Sequence, residues 1–354
     1  MRLALRERQP PWLTFALAGI AIVITYAITA GLIRWAGANP VSAFQLMLTS
    51  PLSSSFGIGE VILSATPILF TGLAVALAFK AGFWNIGAEG QFLIGAMMAT
   101  LVGLNSESLP GWVAIPCMLI AAALGGALWG FVPALLRVKF GIDEVVTTLL
   151  LNPVAALVVA GMLNGPLRNP ETHFPESARL PDHTDMPTLI PDTRIHLGFG
   201  LAVVLLLITW FIVARTPIGL QLRAVGSNIK AARSSGVNVT RILFGAALSS
   251  AAIAGVAGGV EVSAVSHQLS NGISPGFGYT GIIVATLAAL TFPGVLAVAL
   301  LFGDLTVGAF TASRILNIPS TVGEVVQAVL MVTVVSVLVF RKYRIVFRRG
   351  ERTW

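Results

Sequence analysis

The chain has 354 residues, of which 56% are hydrophobic and only 10% are charged, and its mean hydropathy is +0.87. A soluble domain carries charge on about a quarter of its residues, so this composition excludes a soluble globular protein and indicates an integral membrane protein. The formal net charge of +7 does not indicate nucleic-acid binding, because the basic residues lie in the gaps between apolar runs. The single cysteine, Cys117, excludes an intramolecular disulfide.

The first apolar segment has a signal-like beginning but is too long to be a signal peptide. A basic leader (1–11) precedes an apolar run from Trp12 to Ile33, and Ala36 and Ala38 form a small-x-small pair. A cleavable segment has an apolar region of only ~7–15 residues. We therefore expect an uncleaved first membrane span.

Ten apolar runs are predicted to cross the membrane as helices. These spans are 12–33, 58–79, 83–104, 112–136, 145–163, 197–214, 242–264, 279–292, 294–312 and 322–340. The eighth span is short, but fusing it with the ninth would give about 35 residues, too many for one helix across a ~30 Å hydrocarbon core. We therefore expect a tight cytoplasmic turn at Thr291–Gly294.

The basic residues predict the orientation of these spans. With ten crossings, both termini are cytoplasmic, and the predicted inner segments contain 17 of the 22 lysines and arginines. The other five lie outside: Arg34, Arg168, Arg179, Arg194 and Arg314. Such a positive-inside bias supports an all-α membrane protein of about ten helices, in one transmembrane domain over 1–354 with a basic cytoplasmic tail at 341–354.

Two segments on the predicted outer side differ from simple connections. Residues 40–57 are moderately apolar and too short to span, so either an interfacial helix or a plain loop is expected. The largest outer loop, 164–196, contains six prolines and five acids, and it either docks an external partner or simply caps helix ends. Its histidines, His173, His183 and His196, lack zinc-ligand spacing.

Motifs for covalent chemistry are absent from the sequence. There is no GxxxxGK[ST] loop for nucleotide phosphates, no HExxH, no GxSxG and no Cys/His cluster. The sequence therefore gives no support to an enzyme, and no cofactor is expected in this chain.

The stretch from Phe79 to Gly95 is unusually polar and glycine-rich for a membrane-depth segment. Asn85 and Glu89 are four residues apart, so a helix would place them on one face. Its central glycines are Gly82, Gly87 and Gly90. A broken helix lining a substrate path is one interpretation, and a turn between two spans, with Glu89 at the start of a helix, is the other.

An acid, Asp304, lies near the middle of the ninth span. At that depth a carboxyl group is a functional hypothesis by default, such as a proton relay. The alternative is a structural hydrogen bond to a neighbouring helix, for example through Thr306.

Three further features indicate packing rather than ligand binding. Asn152-Pro153 should kink the fifth span, and GxxxG pairs at Gly126/Gly130 and Gly255/Gly259 predict close helix crossings.

The longest predicted cytoplasmic loop, 215–241, carries five basic residues and no acid. Its central run predicts a short helix that begins after an N-cap at Ser227 or Asn228 and ends at Gly236. Small Ala231 and Ala232 would let one face enter a groove, while the basic side chains remain solvated. A docking helix and a solvated basic loop both fit this pattern.

Three stretches of this chain resemble one family. The run GFWNIGAEGQFLIGA at 82–96 resembles the signature of ABC-importer permeases for nucleosides, in the wider group of ribose and branched-chain amino acid permeases. The loop sequence GLQLRAVGSNIKAARSSGV and the pattern GFGYTGIIVATLA resemble the same family, and the resemblance covers roughly 60–340. The length and the N-terminal extension look like the longer of the two permeases that nucleoside systems pair.

The resemblance implies roles for particular residues. In the 82–96 motif, it associates Asn85, Glu89 and Gln91 with the translocation path, to which we add Phe83 of the same motif and Asp304 as a residue of open role. In the 215–241 loop, it implies a coupling segment that docks onto an ATPase, made of Gly226, Asn228, Ala231, Ala232 and Gly236.

We therefore expect a permease subunit of an ATP-driven nucleoside importer in the bacterial inner membrane, with simple sugars as the next substrate class. The expected partners are a cytoplasmic ABC ATPase that binds ATP and Mg²⁺, a second permease in a heterodimer, an external substrate-binding protein and membrane lipid, but no nucleic acid. The alternative is a proton-coupled secondary carrier that uses Asp304 or Glu89 as its relay.

Overall fold

The structure, a computed structural model, describes residues 2–5, 11–191, 193–319 and 321–346. Residues 6–10 of the predicted leader and 347–354 of the predicted basic tail lie outside the described residues, and so do several arginines of the positive-inside count. The regular secondary structure of the described residues is helical apart from two short strands.

The helices follow one another with short connections over most of the chain. They are α1 (Pro11–Trp35), α2 (Pro40–Thr49), α3 (Ser55–Lys80), α4 (Ala88–Leu104), α5 (Gly111–Leu135), α6 (Glu144–Asn164), α7 (Leu197–Arg215), α8 (Pro217–Ser227), α9 (Ile229–Ser234), α10 (Val239–Glu261), α11 (Phe277–Leu287), α12 (Phe292–Leu316) and α13 (Thr321–Lys342). Single π-turns follow α5 (Leu136–Phe140) and α10 (Val262–Ser266), and 3₁₀ turns lie at Pro51–Ser53 and Asp182–Thr184. Strand β1 (Arg2–Leu5) pairs antiparallel with β2 (Tyr343–Val346).

Six of the described helices are long and apolar enough to cross a membrane. They are α3, α5 with its π-turn, α6, α7, α10 with its π-turn, and α12. Helices α4 and α11 are apolar but shorter, and the 11 residues of α11 span only about 17 Å. The prediction of an α-helical, multi-pass membrane protein is confirmed.

The turn between α11 and α12 begins earlier than predicted. Ala289 and Leu290 have positive φ angles of 49° and 58°, and α12 begins at Phe292. The predicted turn was wrong for 292–294, which form the first turn of α12. Proline is favoured at this position because the first N–H groups of a helix have no intrahelical acceptor to lose.

A helix, rather than a plain loop, occupies most of 40–57. The Asn39 side chain caps α2 by accepting a hydrogen bond from the Val41 N–H at 3.0 Å. Ala43 and Met47 are buried, and a Cβ on Gly308 of α12 would lie 1.9 Å from the carbonyl oxygen of Met47. The helix is confirmed, while its place at the membrane interface stays a prediction.

The chain forms two compact units. The first contains 1–58 and 304–354, and its core joins α1, α2, α12 and α13 through Ile33, Ala38, Ala43, Met47, Ala312, Ile318, Val322 and Val326. Within it, the hydroxyls of Thr25 and Thr333 lie 2.7 Å apart. The second unit is continuous, from Gly59 to Gly303. The single permease domain over 1–354 stays a prediction.

The centre of the second unit is a close crossing of α4, α5 and α10. A Cβ on Gly255 would lie 2.2 Å from the Ala122 carbonyl oxygen, and one on Gly126 would lie 2.3 Å from that of Ala251. Gly95 of α4 meets Gly255 equally closely. The crossings predicted from the GxxxG pairs are therefore confirmed, because only glycine lets these backbones approach.

The proline-rich loop 164–196 is folded onto the segment after α10. Backbone hydrogen bonds join Ser177 N to Leu269 O at 2.8 Å, and Leu180 N to His267 O at 2.9 Å. The Ser263 hydroxyl donates to the Thr184 carbonyl oxygen at 2.6 Å. The loop therefore covers the end of α10, and its proposed docking role stays a prediction. The described residues contain no cluster of histidine, cysteine or acid groups suited to a metal ion.

Candidate functional site

Residues 81–87 connect α3 to α4, and the 81–91 segment, which includes the first turn of α4, contains a buried amide network. Gly82, at a φ of 81°, turns the chain after Lys80, and α4 begins at Ala88. The Asn85 side chain is fully buried. Its Nδ2 donates to Gln91 Oε1 and to Ser250 Oγ, each at 2.9 Å, and its Oδ1 accepts from Gly87 N at 3.0 Å and from Gln91 Nε2 at 3.1 Å. All four hydrogen-bonding positions of this amide are used.

One face of α6 holds the same segment from the other side. Glu144, Thr148 and Asn152 recur every four residues, so they share a helix face, and all are at most 3% exposed. Glu144 Oε1 accepts from Trp84 N at 3.3 Å, and Thr148 Oγ1 accepts from Ile86 N at 3.1 Å. We call these three residues the α6 polar stripe.

Asn152 completes the stripe with two bonds. Its Oδ1 accepts from Gly90 N at 2.9 Å and its Nδ2 donates to Ile86 O at 2.9 Å. The irregular backbone of 84–87 and the first turn of α4 are thereby supplied with the partners that buried backbone groups need in a membrane.

Glu89 lies where two helices begin. It is in the first turn of α4, and its Oε2 accepts from Gly278 N, in the first turn of α11, at 2.7 Å. A Cβ on Gly278 would lie 2.2 Å from Glu89 N, so the two helix starts are in backbone contact. A carboxylate is favoured at this position because both helix N-termini carry partial positive charge.

The predicted path residues of this motif are thus buried, and the side chains of Asn85, Glu89 and Gln91 are hydrogen-bonded within the chain. Phe83 and Gln91 are each 2% exposed, and Glu89 is 7% exposed. Their positions match the interpretation of a turn between two spans with Glu89 at a helix start. Their role in a translocation path stays a prediction.

Asp304 lies in the middle of α12 and is 7% exposed. Its Oδ1 has no hydrogen-bond partner among the described residues. It belongs to the first compact unit, whereas Glu89 belongs to the second. The proposed role of Asp304 in a translocation path stays a prediction.

The 215–241 loop contains two helices rather than one. The Thr216 hydroxyl caps α8, and Asn228 caps α9 by accepting a hydrogen bond from Ala231 N at 3.1 Å. Helix α9 ends before Gly236, whose φ is 82°, and Val237 N donates back to Ala232 O at 3.1 Å. The predicted start at Asn228 and end at Gly236 are confirmed, and the ending is a Schellman motif.

Backbone contact joins this loop to the 81–91 segment. A Cβ on Gly226 would lie 2.0 Å from the Lys80 carbonyl oxygen, and one on Gly82 would lie 3.3 Å from Gly226 Cα. A shallow cavity of about 400 Å³ lies beside this contact. Its lining comes from three segments: Gly82 and Trp84; Arg137 and Glu144; and 225–230.

The two small residues of α9 differ in exposure. Ala231 is exposed, whereas Ala232 is only 4% exposed. Ala231 is therefore available to a partner, and Ala232 packs within the chain.

Sequence reasoning missed the residues that support this site. Glu144, Thr148 and Ser250 were not singled out, and neither was α8. The fourfold spacing of Glu144, Thr148 and Asn152 in an otherwise apolar helix was a usable signal, because buried polar groups require partners.

The described fold is that of a multi-pass membrane protein in which several buried polar side chains form hydrogen bonds between helices or to the segment before α4. Residues 57–335 match the family described as the permease component of the branched-chain amino acid transport system. The glucose ABC transporter permease protein TsgB13 of Haloferax volcanii is 32% identical over 350 residues, which cover 96% of this chain and 92% of that protein.

Two Bacillus subtilis proteins are also similar. The guanosine ABC transporter permease protein NupP is 33% identical over 323 residues, covering 90% of this chain and 92% of that protein. The guanosine ABC transporter permease protein NupQ is 30% identical over 252 residues, covering 68% and 77%. This chain belongs to the ABC transporter permease family, and it is a transport component rather than an enzyme. The secondary-carrier alternative is not favoured.

Proposed function

We propose that this chain is the membrane-spanning subunit of an ATP-driven importer of nucleosides, with simple sugars as the next substrate class. The observation that carries the proposal is the family match over 57–335. The relatives named for guanosine and for glucose supply the two substrate classes.

The proposed topology has ten crossings and cytoplasmic termini, in a bacterial inner membrane. Two groupings of residues support it. Residues in or next to segments predicted inside, at 82–84, 137–144 and 225–230, line one cavity. Residues in or next to segments predicted outside, at 177–184 and 263–269, are hydrogen-bonded to each other. The pairing of β1 with β2 supports a common side for the two ends of the chain.

The proposed partners are a cytoplasmic ABC ATPase with ATP and Mg²⁺, a second permease and an external binding protein. The similarity to both NupP and NupQ supports a heterodimer of two related permeases. No nucleotide-binding loop is present in this sequence, so the energy of ATP must come from another chain.

The proposed mechanism is alternating access without covalent chemistry. Helix α9 docks onto the ATPase through the face that includes Ala231. When α9 moves, Gly226 transmits the movement to Lys80 and Gly82 through backbone contact. The 81–91 segment then moves with the helix starts at Glu89 and Gly278, and so opens or closes a path.

The proposal is tested by uptake of radiolabelled guanosine into proteoliposomes that contain the partner proteins. We expect uptake with ATP on the ATPase side and none with a pH gradient alone. Uptake driven by the pH gradient without ATP would refute it.

The docking role of α9 has its own test. Ala231→Arg should leave the protein inserted, because Ala231 is exposed, but it should lower ATP-driven uptake at least tenfold by obstructing the docked face. Thr240→Arg, in the same loop and also exposed but outside α9, is the matched control for added charge and should keep normal uptake. Normal uptake by the Ala231 variant would remove α9 from the docking surface.

A further inference from the structure

The Glu144 carboxylate joins two segments at the cavity beside α9. Its Oε2 lies 3.0 Å from Arg137 Nε, in the π-turn that follows α5. Its Oε1 accepts the hydrogen bond from Trp84 N. The Glu144 side chain is only 4% exposed, whereas that of Arg137 is 30% exposed.

This arrangement is more than a local ion pair. Arg137, Glu144 and Trp84 line the same cavity as Gly226, Asn228 and Lys230. Gly226 contacts the start of the 81–87 segment, at Lys80 and Gly82. The segment is therefore held by α8–α9 at its start and by the α6 polar stripe from Trp84 onwards.

A displacement of α9 has two possible results at such a joint. If the segment is anchored to α6, the displacement moves α6 and the start of α4 together. If the anchor is missing, the segment moves with Gly226 alone, and the displacement of α9 does not reach α6 or the start of α4. The anchor nearest to Gly226 is Glu144, since Thr148 and Asn152 bind further along, at Ile86 and Gly90.

We propose that Glu144 is a positioning residue for energy coupling, which anchors the 81–87 segment to α6 and Arg137 so that movement of α9 reaches the membrane helices. This inference rests on the proposed function. Glu144 contacts neither substrate nor nucleotide in this role.

The test compares transport with ATP hydrolysis in the assembled transporter in proteoliposomes. Glu144→Ala removes both bonds, and we expect ATP hydrolysis to stay within twofold of the wild type while guanosine uptake per ATP falls at least tenfold. Glu144→Gln can still accept the Trp84 N–H but lacks the charge opposite Arg137, so we expect an intermediate ratio.

Asp143→Asn is the matched control. Asp143 is the adjacent acid, it is exposed, and its side chain caps α6 by accepting from Val145 N, which an asparagine can also do. We expect this variant to keep the wild-type ratio of uptake to ATP.

The outcomes separate this inference from the proposed function. An unchanged ratio in Glu144→Ala overturns the positioning role. Equal loss of uptake and hydrolysis in both Glu144 variants, with loss of folded protein, assigns Glu144 to folding alone and also overturns it. If the wild type and Asp143→Asn show no ATP-driven uptake, the proposed function itself fails.

Discussion

The buried side-chain amide of Asn85 supplies hydrogen-bond partners within the 81–91 segment and to α10. Asn85 donates twice and accepts twice, so no other side chain of its size can replace all of its bonds. Aspartate has the same shape but cannot donate when ionised. The residue type at 85 is therefore set by hydrogen bonding rather than by volume.

Asn85→Asp should destabilise the protein by about 2–4 kcal/mol, because it removes two donors and buries a carboxyl group without a cation. The measurement is thermal unfolding in detergent, followed by tryptophan fluorescence. Asn105→Asp, at the exposed end of α4, is the control and should change stability by less than about 1 kcal/mol. Equal effects at the two positions would contradict the importance of the network.

A second buried group, His196, links stability to pH on the predicted outer side. Its Nδ1 accepts from Gly198 N at 3.1 Å at the start of α7, so the neutral ring carries its proton on Nε2. Burial first, and then the positive charge of Arg194, lowers the pKa of His196 from 6.5 to about 4. The folded protein therefore binds this proton less readily than the unfolded chain does.

Because the folded pKa is the lower one, the contribution of His196 is fully present above pH 6.5 and is lost as the pH falls towards 4. At about 1.4 kcal/mol per pH unit, the loss reaches about 3 kcal/mol. Unfolding midpoints measured from pH 4 to pH 7.5 should show this slope in the wild type. His196→Asn, which keeps a capping acceptor, should flatten it, and His173→Asn at an exposed position should not.

At the scale of elements, α10 contains glycines at both crowded and open positions. Gly255 is in backbone contact with α5, whereas a Cβ on Gly245, ten residues earlier, would meet nothing within 4 Å. Packing against α5 therefore requires glycine at position 255, whereas the described structure has room for a side chain at position 245.

Gly255→Ala should destabilise the protein severely, by more than about 3 kcal/mol, because the new Cβ would lie 2.2 Å from the Ala122 carbonyl oxygen and the helices must separate. Gly245→Ala should be neutral or stabilising by up to about 1 kcal/mol, since alanine is the better helix former. The yield of monodisperse protein and its unfolding midpoint distinguish the two. A well-folded Gly255 variant would contradict the crossing.

The elements that were predicted correctly are those with a local physical cause. Apolar runs predicted the long helices, Asn228 and Gly236 predicted the ends of α9, and GxxxG pairs predicted the helix crossings. What was missed depends on partners distant in sequence: Thr148 binds a segment 62 residues away, and Ser250 binds one 165 residues away. Helix α8 was missed because only two residues, Thr216 and Pro217, signalled its start inside a loop read as one polar run.

At the scale of the whole molecule, the single cysteine makes the topology directly testable. In a Cys117→Ala background, Ser227→Cys in the 215–241 loop should react with a membrane-impermeant maleimide only in inside-out vesicles, because the loop is proposed to face the cytoplasm. Ser108→Cys, in the exposed connection between α4 and α5, should react in intact cells. The background variant should not react, and labelling of the Ser227 variant in intact cells would overturn the orientation.

The first compact unit is built from the two ends of the chain, and this has a consequence for biosynthesis. Thr25 of α1 and its partner Thr333 of α13 are separated by 308 positions. At about 5–20 residues per second, synthesis of the chain from Thr25 to Thr333 takes roughly 15–60 s. The unit from Gly59 to Gly303 can close during that interval, so a newly made α1 is without its partner helix until α13 has been translated.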